Sequence, residues 1–316
     1  MKYTIAIPAY KEAFLKECIQ SILDQTYRDF ELVIVNDASP EDIDSVVNSF
    51  NSPLIRYYTN EKNFGAENVV DNWNKCLSYA RGDFFILMGD DDKMSPDYLE
   101  EFAALIEKYP RCGVYHCRTI IIDENSVPVQ LTEPRPEYET VYDTILQRIE
   151  EKRLFFISDY VYRTATLRAN NGFYKLPLAW GSDDISCYIA AWENGIAHTN
   201  KPLFFYRRNA QTISTGGNIY LKMDSALAEE KWLTEFVKDD PASNSDKILR
   251  QSIMRTIRVY SQKKKIRTIY SSEGPNALSL ILKWYKHRKK YGLSIDELMY
   301  AALMKIKESR KRRYER

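Results

Sequence analysis

A strand that ends in three acids indicates the type of fold: Asp83-Phe84-Phe85-Ile86-Leu87-Met88-Gly89-Asp90-Asp91-Asp92. A continuous apolar run of this length is typical of a strand buried on both faces of a sheet. Three adjacent carboxylates repel one another, so a strand end that carries them favours a compensating cation. Mg²⁺ or Mn²⁺, which bind carboxylate and phosphate oxygens, are suitable cations. The alternative is a solvated acidic turn before the next helix.

Strand and helix patterns alternate around this stretch. Strand patterns cover 3–8, 30–35 and 54–58, and helical spacing of apolar residues covers 12–25 and 66–80. Ser39 and Ser95, each followed by proline and acids, are typical helix N-caps. Such alternation requires crossover connections and predicts an α/β fold with a doubly wound, mostly parallel sheet. Ligands of these sheets bind beyond the carboxyl ends of the strands.

The pattern changes twice farther along the chain. It is mixed from 113 to 215 and purely helical from about 218, where Ser294-Ile295-Asp296-Glu297 has the sequence of a capping box. We therefore predict one domain over 1–217, with halves at 1–100 and 101–217, and an all-helical, basic region over 218–316.

The charge is divided along the chain, although its formal net value is only +1. Residues 263–316 contain 16 Lys and Arg against 5 Asp and Glu, whereas 1–262 contain 29 against 39. Basic clusters at 263–267, 283–290 and 310–313 alternate with apolar residues (Trp284, Tyr285, Leu298, Met299, Ala302). Contact with an anionic membrane surface is one hypothesis for this pattern. A packed helical subdomain with solvated basic faces is slightly favoured, and the two are compatible if the helices pack by one face and contact the membrane by another.

Composition also bears on the compartment and on the partners. The apolar runs are shorter than the roughly 18–20 residues of a spanning helix, and the strand pattern starts almost at Met1, so we expect no signal peptide. Five cysteines without framework spacing predict reduced thiols and a cytoplasmic protein. Nucleic acid is not an expected partner, because no groove-reading element accompanies the basic clusters.

Two further acidic positions follow predicted strands or precede a helix. Asp37 comes directly after the second strand, where an acid can bind a ribose or a base; the alternative is an ordinary turn residue. Asp183-Asp184 precedes an apolar helix, and a carboxylate there can act as a general base. The alternative, an N-cap pair, is favoured by spacing alone. Trp180 beside this pair is either a sugar-stacking residue or part of the core.

In this combination the motifs resemble glycosyltransferase family 2, whose members are inverting enzymes with the GT-A fold. The motifs occur in chain order as Ile7-Pro8-Ala9-Tyr10-Lys11-Glu12, Gln25-Thr26-Tyr27, Val35-Asn36-Asp37-Ala38-Ser39, Asn63-Phe64-Gly65, Asn72-Trp73-Asn74, Ala80-Arg81-Gly82-Asp83, the acid triplet and Pro96-Asp97-Tyr98. Residues 3–100 are covered densely and 173–214 loosely. Each motif alone is weak, and their order makes the resemblance specific.

The resemblance implies transfer of a sugar from a nucleoside-diphosphate donor, most commonly a UDP-sugar, to a glycan or lipid-linked glycan of surface polysaccharide synthesis. It implies a donor site made of Pro8, Ala9, Tyr10, Glu12, Asp37, Asn63, Gly65, Asp90, Arg207 and Arg208. It implies Mn²⁺ or Mg²⁺ on Asp90, Asp91 and Asp92, with Asp91 the expected direct ligand. Asp184 is the expected base, Asp183 orients it or the acceptor, and Trp180 contacts the acceptor. A cytoplasmic enzyme at the inner face of the plasma membrane would suit such acceptors.

Two positions depart from the family pattern. Gly89 stands where the first acid of the metal motif usually falls, and Asn209 stands near a position where many relatives carry a histidine. A third protein ligand for the metal is therefore in doubt. Arg207 and Arg208 are either diphosphate contacts or a solvated pair at a strand end.

Two other classes of function remain open. A catalytically silent nucleotide-sugar-binding module would keep Asp37 but would not need three acids and a separate acidic pair. A nucleotidyltransferase that forms nucleotide sugars is disfavoured, because no glycine-rich basic loop follows the first strand.

Overall fold

The chain forms two compact units. The structure, a computed structural model, describes residues 2–208, 217–272 and 277–314, and from residue 308 onward only the backbone. The first unit comprises Met1–Lys175 and Ser182–Gly216, and the second comprises Leu176–Gly181 and Gly217–Arg316.

The described part of the first unit is built on one ten-stranded sheet. Its strands are β1 (Tyr3–Ala9), β2 (Phe30–Asn36), β3 (Ile55–Thr59), β4 (Phe84–Leu87), β5 (Lys93–Met94), β6 (Val114–Ile122), β7 (Pro128–Leu131), β8 (Tyr138–Glu139), β9 (Tyr160–Arg163) and β10 (Ile196–Arg207). The order across the sheet is β3-β2-β1-β4-β9-β6-β10-β5, with β7 added to β6 and β8 to β10.

The sheet consists of a parallel half and a mixed half. Strands β3, β2, β1 and β4 are parallel neighbours, and β6 is parallel to β10. The remaining pairs, including both pairs of β9, are antiparallel. The predicted α/β class is thus confirmed, but the sheet is mixed rather than mostly parallel, because short strands from the second half of the unit join it in the opposite direction.

Helices flank the sheet and make up most of the second unit. In the first unit they are α1 (Leu15–Leu23), α2 (Ile43–Asn48), α3 (Val69–Ser78), α4 (Tyr98–Lys108), α5 (Val141–Ile149), α6 (Thr164–Ala169) and α7 (Ser182–Ala191). In the second they are α8 (Ile219–Phe236), α9 (Asn244–Ser271), α10 (Ala277–Tyr291) and α11 (Ile295–Tyr314). Among the described residues, none of these helices has the length and apolar content needed to cross a bilayer.

Three helix starts test the capping predictions. At α4 the N-cap is Asp97 rather than the predicted Ser95. At the start of α11 the Ser294 hydroxyl accepts the Glu297 N–H, and the Glu297 carboxylate accepts the Ser294 N–H, so the capping box is confirmed. Helix α2 starts later than predicted, with Asp42 as its N-cap. The Ser39 hydroxyl donates to the carbonyl of Tyr10 and accepts the N–H of Glu41 in the turn before this helix.

The central strands are buried on both faces. Tyr3, Ile5 and Ile7 of β1 belong to a core cluster with apolar residues of α1, α2 and α4. Helix α3 contacts β1 and β2, and Ala6, which alternates with the cluster residues, is fully buried as well. Burial of the strands leaves their ends as the accessible part of the sheet, which is where the polar residues of the predicted site lie.

A buried polar cluster joins the strands of the mixed half. His116 of β6 is the register partner of His198 of β10, and their rings are 5.1 Å apart. His198 Nε2 lies 3.1 Å from Glu139 Oε1, and His116 Nε2 lies 3.4 Å from Asp159 Oδ2. Burial lowers the pKa of His198 to about 4 and raises the pKa of Asp159 to about 7. His198 is therefore uncharged near neutral pH, whereas the Asp159 carboxyl titrates there.

The depressed pKa of His198 predicts a loss of stability in acid. An unfolded histidine binds a proton below about pH 6.5, whereas His198 in the folded chain does so only near pH 4. Stability from this group is therefore present above pH 6.5 and is lost as the pH falls toward 4. Between pH 7 and 4.5 we expect the free energy of unfolding of the wild type to fall by about 2 kcal/mol more than that of His198→Gln. Urea unfolding of the two proteins at both pH values measures this difference.

The comparison with the variant is needed because Asp159 acts in the opposite direction. Its folded-state pKa is raised, so its contribution to stability grows as the pH falls from 7 toward 4. The His198→Gln variant keeps this contribution and loses that of the histidine, together with the hydrogen bond by which His198 lowers the pKa of Glu139. Equal pH dependence of unfolding in both proteins would contradict the assignment.

Candidate active site

Three parallel strands end at the same edge of the sheet and bring the predicted donor residues together. The backbone N–H groups of Tyr10 and Lys11, which follow β1, both donate to Asp90 Oδ2 at 2.8 Å. The N–H of Asp37, which follows β2, donates to the carbonyl of Ala9 at 2.9 Å. The turns after β1, β2 and β4 therefore form one continuous polar edge.

Asp37 is oriented by the loop that follows β3. Its carboxylate accepts the Asn60 side-chain amide at 2.9 Å and the Phe64 N–H at 3.1 Å, and its carbonyl accepts the Asn63 side-chain amide at 2.8 Å. Gly65 has a φ of +73°, a backbone conformation that favours glycine. Asn63 and Gly65 thus shape the loop that fixes the Asp37 carboxylate.

The residues after β1 have different surroundings. Pro8 pairs with Val35 of β2, and the Tyr10 side chain is 41% exposed. The Glu12 carboxylate accepts the N–H of Asp42, the N-cap residue of α2, at 3.1 Å. Tyr10 is therefore accessible to a ligand, whereas Glu12 stabilises the start of a helix.

The acid triplet contains two carboxylates that are held by backbone N–H groups. Asp90 is half-buried and accepts the two N–H groups that follow β1. Asp92 is almost fully buried, and its Oδ1 accepts the backbone N–H of Arg207 at 2.9 Å. Burial raises the pKa of Asp90 to about 6 and that of Asp92 well above its usual range. The carboxylates of the triplet are thus gathered where a cation would relieve their repulsion.

The acid triplet offers carboxylate oxygens, the type of donor that binds a divalent cation together with phosphate. A Cβ at Gly89 would lie 2.6 Å from Asp92 Oδ2 and 3.3 Å from Asp91 Oδ1, so the Asp92 carboxylate occupies the space that a side chain at Gly89 would need. Among the described residues no group of three or more His, Cys, Asp or Glu side chains is arranged to hold a metal. Hard carboxylate oxygens of this kind suit Mg²⁺ or Mn²⁺, which commonly take substrate phosphates as further ligands.

Arg207 is buried beneath the triplet, which does not support the predicted diphosphate contact. Its side chain is fully buried. Its Nε donates to the Asp91 carbonyl at 2.8 Å, another N–H donates to Ser126 Oγ at 2.9 Å, and the guanidinium pairs with Glu17. The ring of Phe14 lies under it. This placement favours a structural role in which Arg207 fixes the turn that carries Asp91.

The neighbouring positions differ from Arg207. Arg208 is exposed, and its guanidinium donates to Gln130 Oε1 at 3.2 Å. Asn209 lies outside the residues that the structure describes, so the structure does not address a third metal ligand at that position. Of the two predicted arginines, Arg208 alone has an accessible side chain.

The acidic pair lies in the first turn of α7 and is held by an arginine that sequence reasoning missed. Asp184 is 1% exposed. Arg148 of α5 binds its carboxylate with Nε at 3.0 and 3.1 Å and with a terminal nitrogen at 3.0 Å. Asp183 is half-buried. The carboxylate predicted as the base is thus fixed in orientation, and its neighbour is the more accessible of the two.

Arg148 is part of a cationic cluster around one aromatic ring. The guanidinium groups of Arg148 and Arg135 lie 5.1 and 4.6 Å from the ring centroid of Phe155. Arg153 pairs with buried Glu139. Burial by itself would raise the pKa of Glu139, but hydrogen bonds from His198 and Arg153 lower it to about 2. No spacing motif marks these residues in the sequence; their only signal is a high density of arginines in 135–153.

Trp180 belongs to the second unit, where cations cover its ring. The Nζ atoms of Lys222 and Lys264 lie 4.6 and 5.5 Å from the ring centroid. Lys264 also pairs with buried Glu229 at 2.5 Å. These contacts favour a structural role for Trp180, and its predicted contact with an acceptor sugar stays a prediction.

The mixed α/β sheet with acids at its strand ends is of the GT-A type. A family model described as glycosyl transferase family 2 matches residues 4–163, half of the chain. The chain therefore belongs to glycosyl transferase family 2, and the resemblance predicted from the sequence is confirmed.

Curated relatives match parts of the chain. An uncharacterised glycosyltransferase of Rickettsia typhi is 26% identical over 137 residues, which cover 43% of this chain and 42% of the relative. The poly(ribitol-phosphate) β-N-acetylglucosaminyltransferase TarS of Staphylococcus aureus is 24% identical over 214 residues, which cover 65% of this chain and 35% of TarS. The matched segments thus span less than half the length of these relatives.

Solved structures match most of the chain. Residues 1–349 of S. aureus TarS in complex with UDP-GlcNAc superpose with a TM-score of 0.68 at 18% identity, covering 96% of this chain and 90% of that one. The mannosyltransferase PcManGT of Pyrobaculum calidifontis, in complex with GDP-Man and Mn²⁺, gives 0.53 at 16% identity, covering 96% and 87%. At these identities the likeness establishes the fold.

Proposed function

We propose that this chain transfers a sugar from a nucleoside-diphosphate donor to a hydroxyl group, with inversion at the anomeric carbon. The observation that carries the proposal is the meeting of Asp37 and the acid triplet at the carboxyl ends of parallel β1, β2 and β4. In open α/β sheets this edge binds nucleotides. The likeness to TarS with UDP-GlcNAc and to PcManGT with GDP-Man supports a nucleotide sugar, and a UDP-sugar is the proposed donor.

On the donor side, the chain supplies a preformed polar edge. The Asp37 carboxylate, already oriented by Asn60 and Phe64, accepts hydrogen bonds from the ribose or the base. The exposed ring of Tyr10 stacks on the base. Pro8, Ala9 and Glu12 shape the turn that carries this ring. Because these groups are fixed before the donor binds, little conformational entropy is lost on binding.

Mn²⁺ or Mg²⁺ is the proposed cofactor, with Asp91 as its direct protein ligand beside Asp90 and Asp92. When bound, such a cation neutralises charge that develops on the departing diphosphate. The part played by the chain is to hold the triplet in place through backbone N–H groups and through Arg207. Arg208, whose side chain is exposed, is the proposed protein contact of the diphosphate.

Asp184 is the proposed general base, and Arg148 is its positioning residue. The base takes the proton of the acceptor hydroxyl as its oxygen bonds to the anomeric carbon and the bond from that carbon to the diphosphate breaks. Attack on the face opposite the leaving group inverts the configuration. The bidentate hydrogen bonds from Arg148, Nε to Oδ1 and a terminal nitrogen to Oδ2, set the direction of the Asp184 carboxylate. Asp183 orients the acceptor hydroxyl.

The proposed acceptor is a glycan or a lipid-linked glycan of surface polysaccharide synthesis. The similarity to TarS, named for a poly(ribitol-phosphate) acceptor, supports a polymeric substrate. The excess of Lys and Arg over Asp and Glu in 263–316 supports binding of the protein to the inner, anionic face of the plasma membrane, where such acceptors are made.

Hydrolysis of the donor tests the proposal. Purified protein with Mn²⁺ and a panel of UDP-, GDP- and dTDP-sugars should slowly release one nucleoside diphosphate, and EDTA should stop the release. Release of pyrophosphate from sugar phosphate and nucleoside triphosphate would instead support a nucleotidyltransferase. Tight binding of a nucleotide sugar without turnover, even with glycan acceptors, would support a silent binding module.

A further inference from the structure

Helix α10 presents apolar side chains to solvent along one face. Leu278, Leu282 and Tyr285, spaced four and three residues apart, are 48–66% exposed. Leu280 and Trp284 between them are buried in the core of the second unit. The helix therefore has apolar residues both on the side that packs in the core and on the opposite, outer side. No described residue of this chain buries the outer side.

Helix α11 repeats this arrangement. Ile295, Met299, Leu303 and Ile306 follow the i, i+4, i+8 and i+11 spacing of one helix face and are 40–64% exposed. Leu298 and Ala302, which the sequence pattern placed on the apolar surface, are buried instead, as is Trp284. We call the exposed residues of the two helices (Leu278, Leu282, Tyr285, Ile295, Met299, Leu303 and Ile306) the apolar stripes.

Lysines accompany the apolar stripes. Lys286 and Lys289 are exposed and lie on the same side of α10 as Leu278 and Leu282, given the helical period. Over 277–307 the sequence has seven Lys or Arg and two Asp or Glu. The first basic cluster is different, because Lys264 and Lys265 pair with Glu229 and Glu230 within the unit. Among the described basic residues, Lys286 and Lys289 therefore provide exposed positive charge beside the stripes.

We propose that the outer faces of α10 and α11 bind the surface of an anionic lipid bilayer. Apolar side chains flanked by lysines match the acyl boundary and the negative headgroups of such a surface. The lysine stems extend the apolar area while their ammonium groups stay at headgroup level. This inference concerns the second unit and is independent of the proposed transfer chemistry.

Charge favours a bilayer over a second copy of the chain as the occupant. In a two-fold dimer the same patch lies on both partners, so the interface would bring together two surfaces that both carry Lys286 and Lys289. That arrangement places like charges together at the edge of an apolar contact, which is unfavourable. Anionic headgroups instead neutralise these lysines.

Vesicle flotation tests the inference. The wild-type chain should float with phosphatidylcholine vesicles that contain phosphatidylglycerol and much less with phosphatidylcholine alone. Leu282→Glu with Leu303→Glu should weaken binding at least about tenfold, and Lys286→Glu with Lys289→Glu by about the same factor on the anionic vesicles only. Ile248→Glu is the matched control, since Ile248 is an exposed apolar residue of a different helix, α9, and should bind as wild type does.

Several outcomes would overturn the inference. Equal flotation of the Leu282→Glu/Leu303→Glu double variant and wild type would remove the stripes as the lipid-binding surface. A wild-type dimer that becomes monomeric in this variant would make the stripes a subunit interface. Nucleotide release from a UDP-sugar should stay unchanged in all of these variants, so loss of lipid binding and failure of the proposed function are distinguishable.

Discussion

Asp184→Asn is expected to lower kcat for sugar transfer by about a thousandfold. Asparagine has the shape of aspartate but cannot take the proton of the acceptor hydroxyl, and a positioned general base contributes about 10²–10⁴-fold. The Asp184 carboxylate is buried against Arg148, so the variant also leaves a guanidinium without its anion. Initial rates with a glycan acceptor give kcat, and calorimetry with the nucleoside diphosphate should give unchanged affinity.

Three further variants give this prediction its controls. Arg148→Gln should lower kcat and leave nucleotide affinity unchanged, and Arg148→Lys should recover part of the rate, because lysine keeps the charge but not the bidentate geometry. If Asp183→Asn is inactive while Asp184→Asn retains full activity, Asp183 is the base. A wild-type rate for Arg148→Gln would show that Asp184 does not depend on Arg148 for its orientation.

Asp91→Ala is expected to abolish transfer and metal-dependent hydrolysis of the donor, with a loss of about a thousandfold or more. A cation that neutralises the leaving diphosphate contributes several kcal/mol, and each 1.4 kcal/mol corresponds to tenfold in rate. The fold should be retained, because Asp91 is only half-buried while Asp90 and Asp92 keep their backbone hydrogen bonds. The measurement is nucleotide release as a function of Mn²⁺ concentration.

The matched control for this change is Glu107→Gln, which removes a carboxylate from an exposed position on α4. This variant should release nucleotide at the wild-type rate and with the wild-type dependence on Mn²⁺. Full activity of Asp91→Ala would exclude the acid triplet as the metal site. If circular dichroism shows that Asp91→Ala has lost folded structure, the same measurement is made with Asp91→Asn.

The parallel half of the fold could be predicted from the sequence because its signals are local. Alternating strand and helix patterns require crossover connections, so Asp37 and Asp90–Asp92, each directly after a strand, had to meet at one edge. The mixed half could not be predicted in this way. Strand β9 is four residues long and pairs with β4 and β6 from distant parts of the chain, so its direction depends on packing rather than on its own pattern.

The positions of the candidate site residues could be predicted from the sequence where the backbone defines them, but not where long side chains do. Asp37 and Asp90 are placed by the turns that carry them. An arginine side chain is several ångströms long and can adopt many rotamers. The position of its guanidinium group therefore depends on which partner it binds in the folded chain. Arg207 therefore lies beneath the triplet, and Arg148 binds Asp184 from a different helix, although no spacing in the sequence relates these residues.

By itself the sequence determined the family, the α/β class, the acids at the strand ends and the separate charge of the basic helices, because strand order and charge are properties of the chain. Only the tertiary structure decided which side of each C-terminal helix is covered. In α10 apolar residues occupy most of the circumference, and the rotation of the helix against its neighbours buries Trp284 while it exposes Leu278 and Leu282. Rotation about a helix axis is set by packing partners, and no local pattern encodes it here.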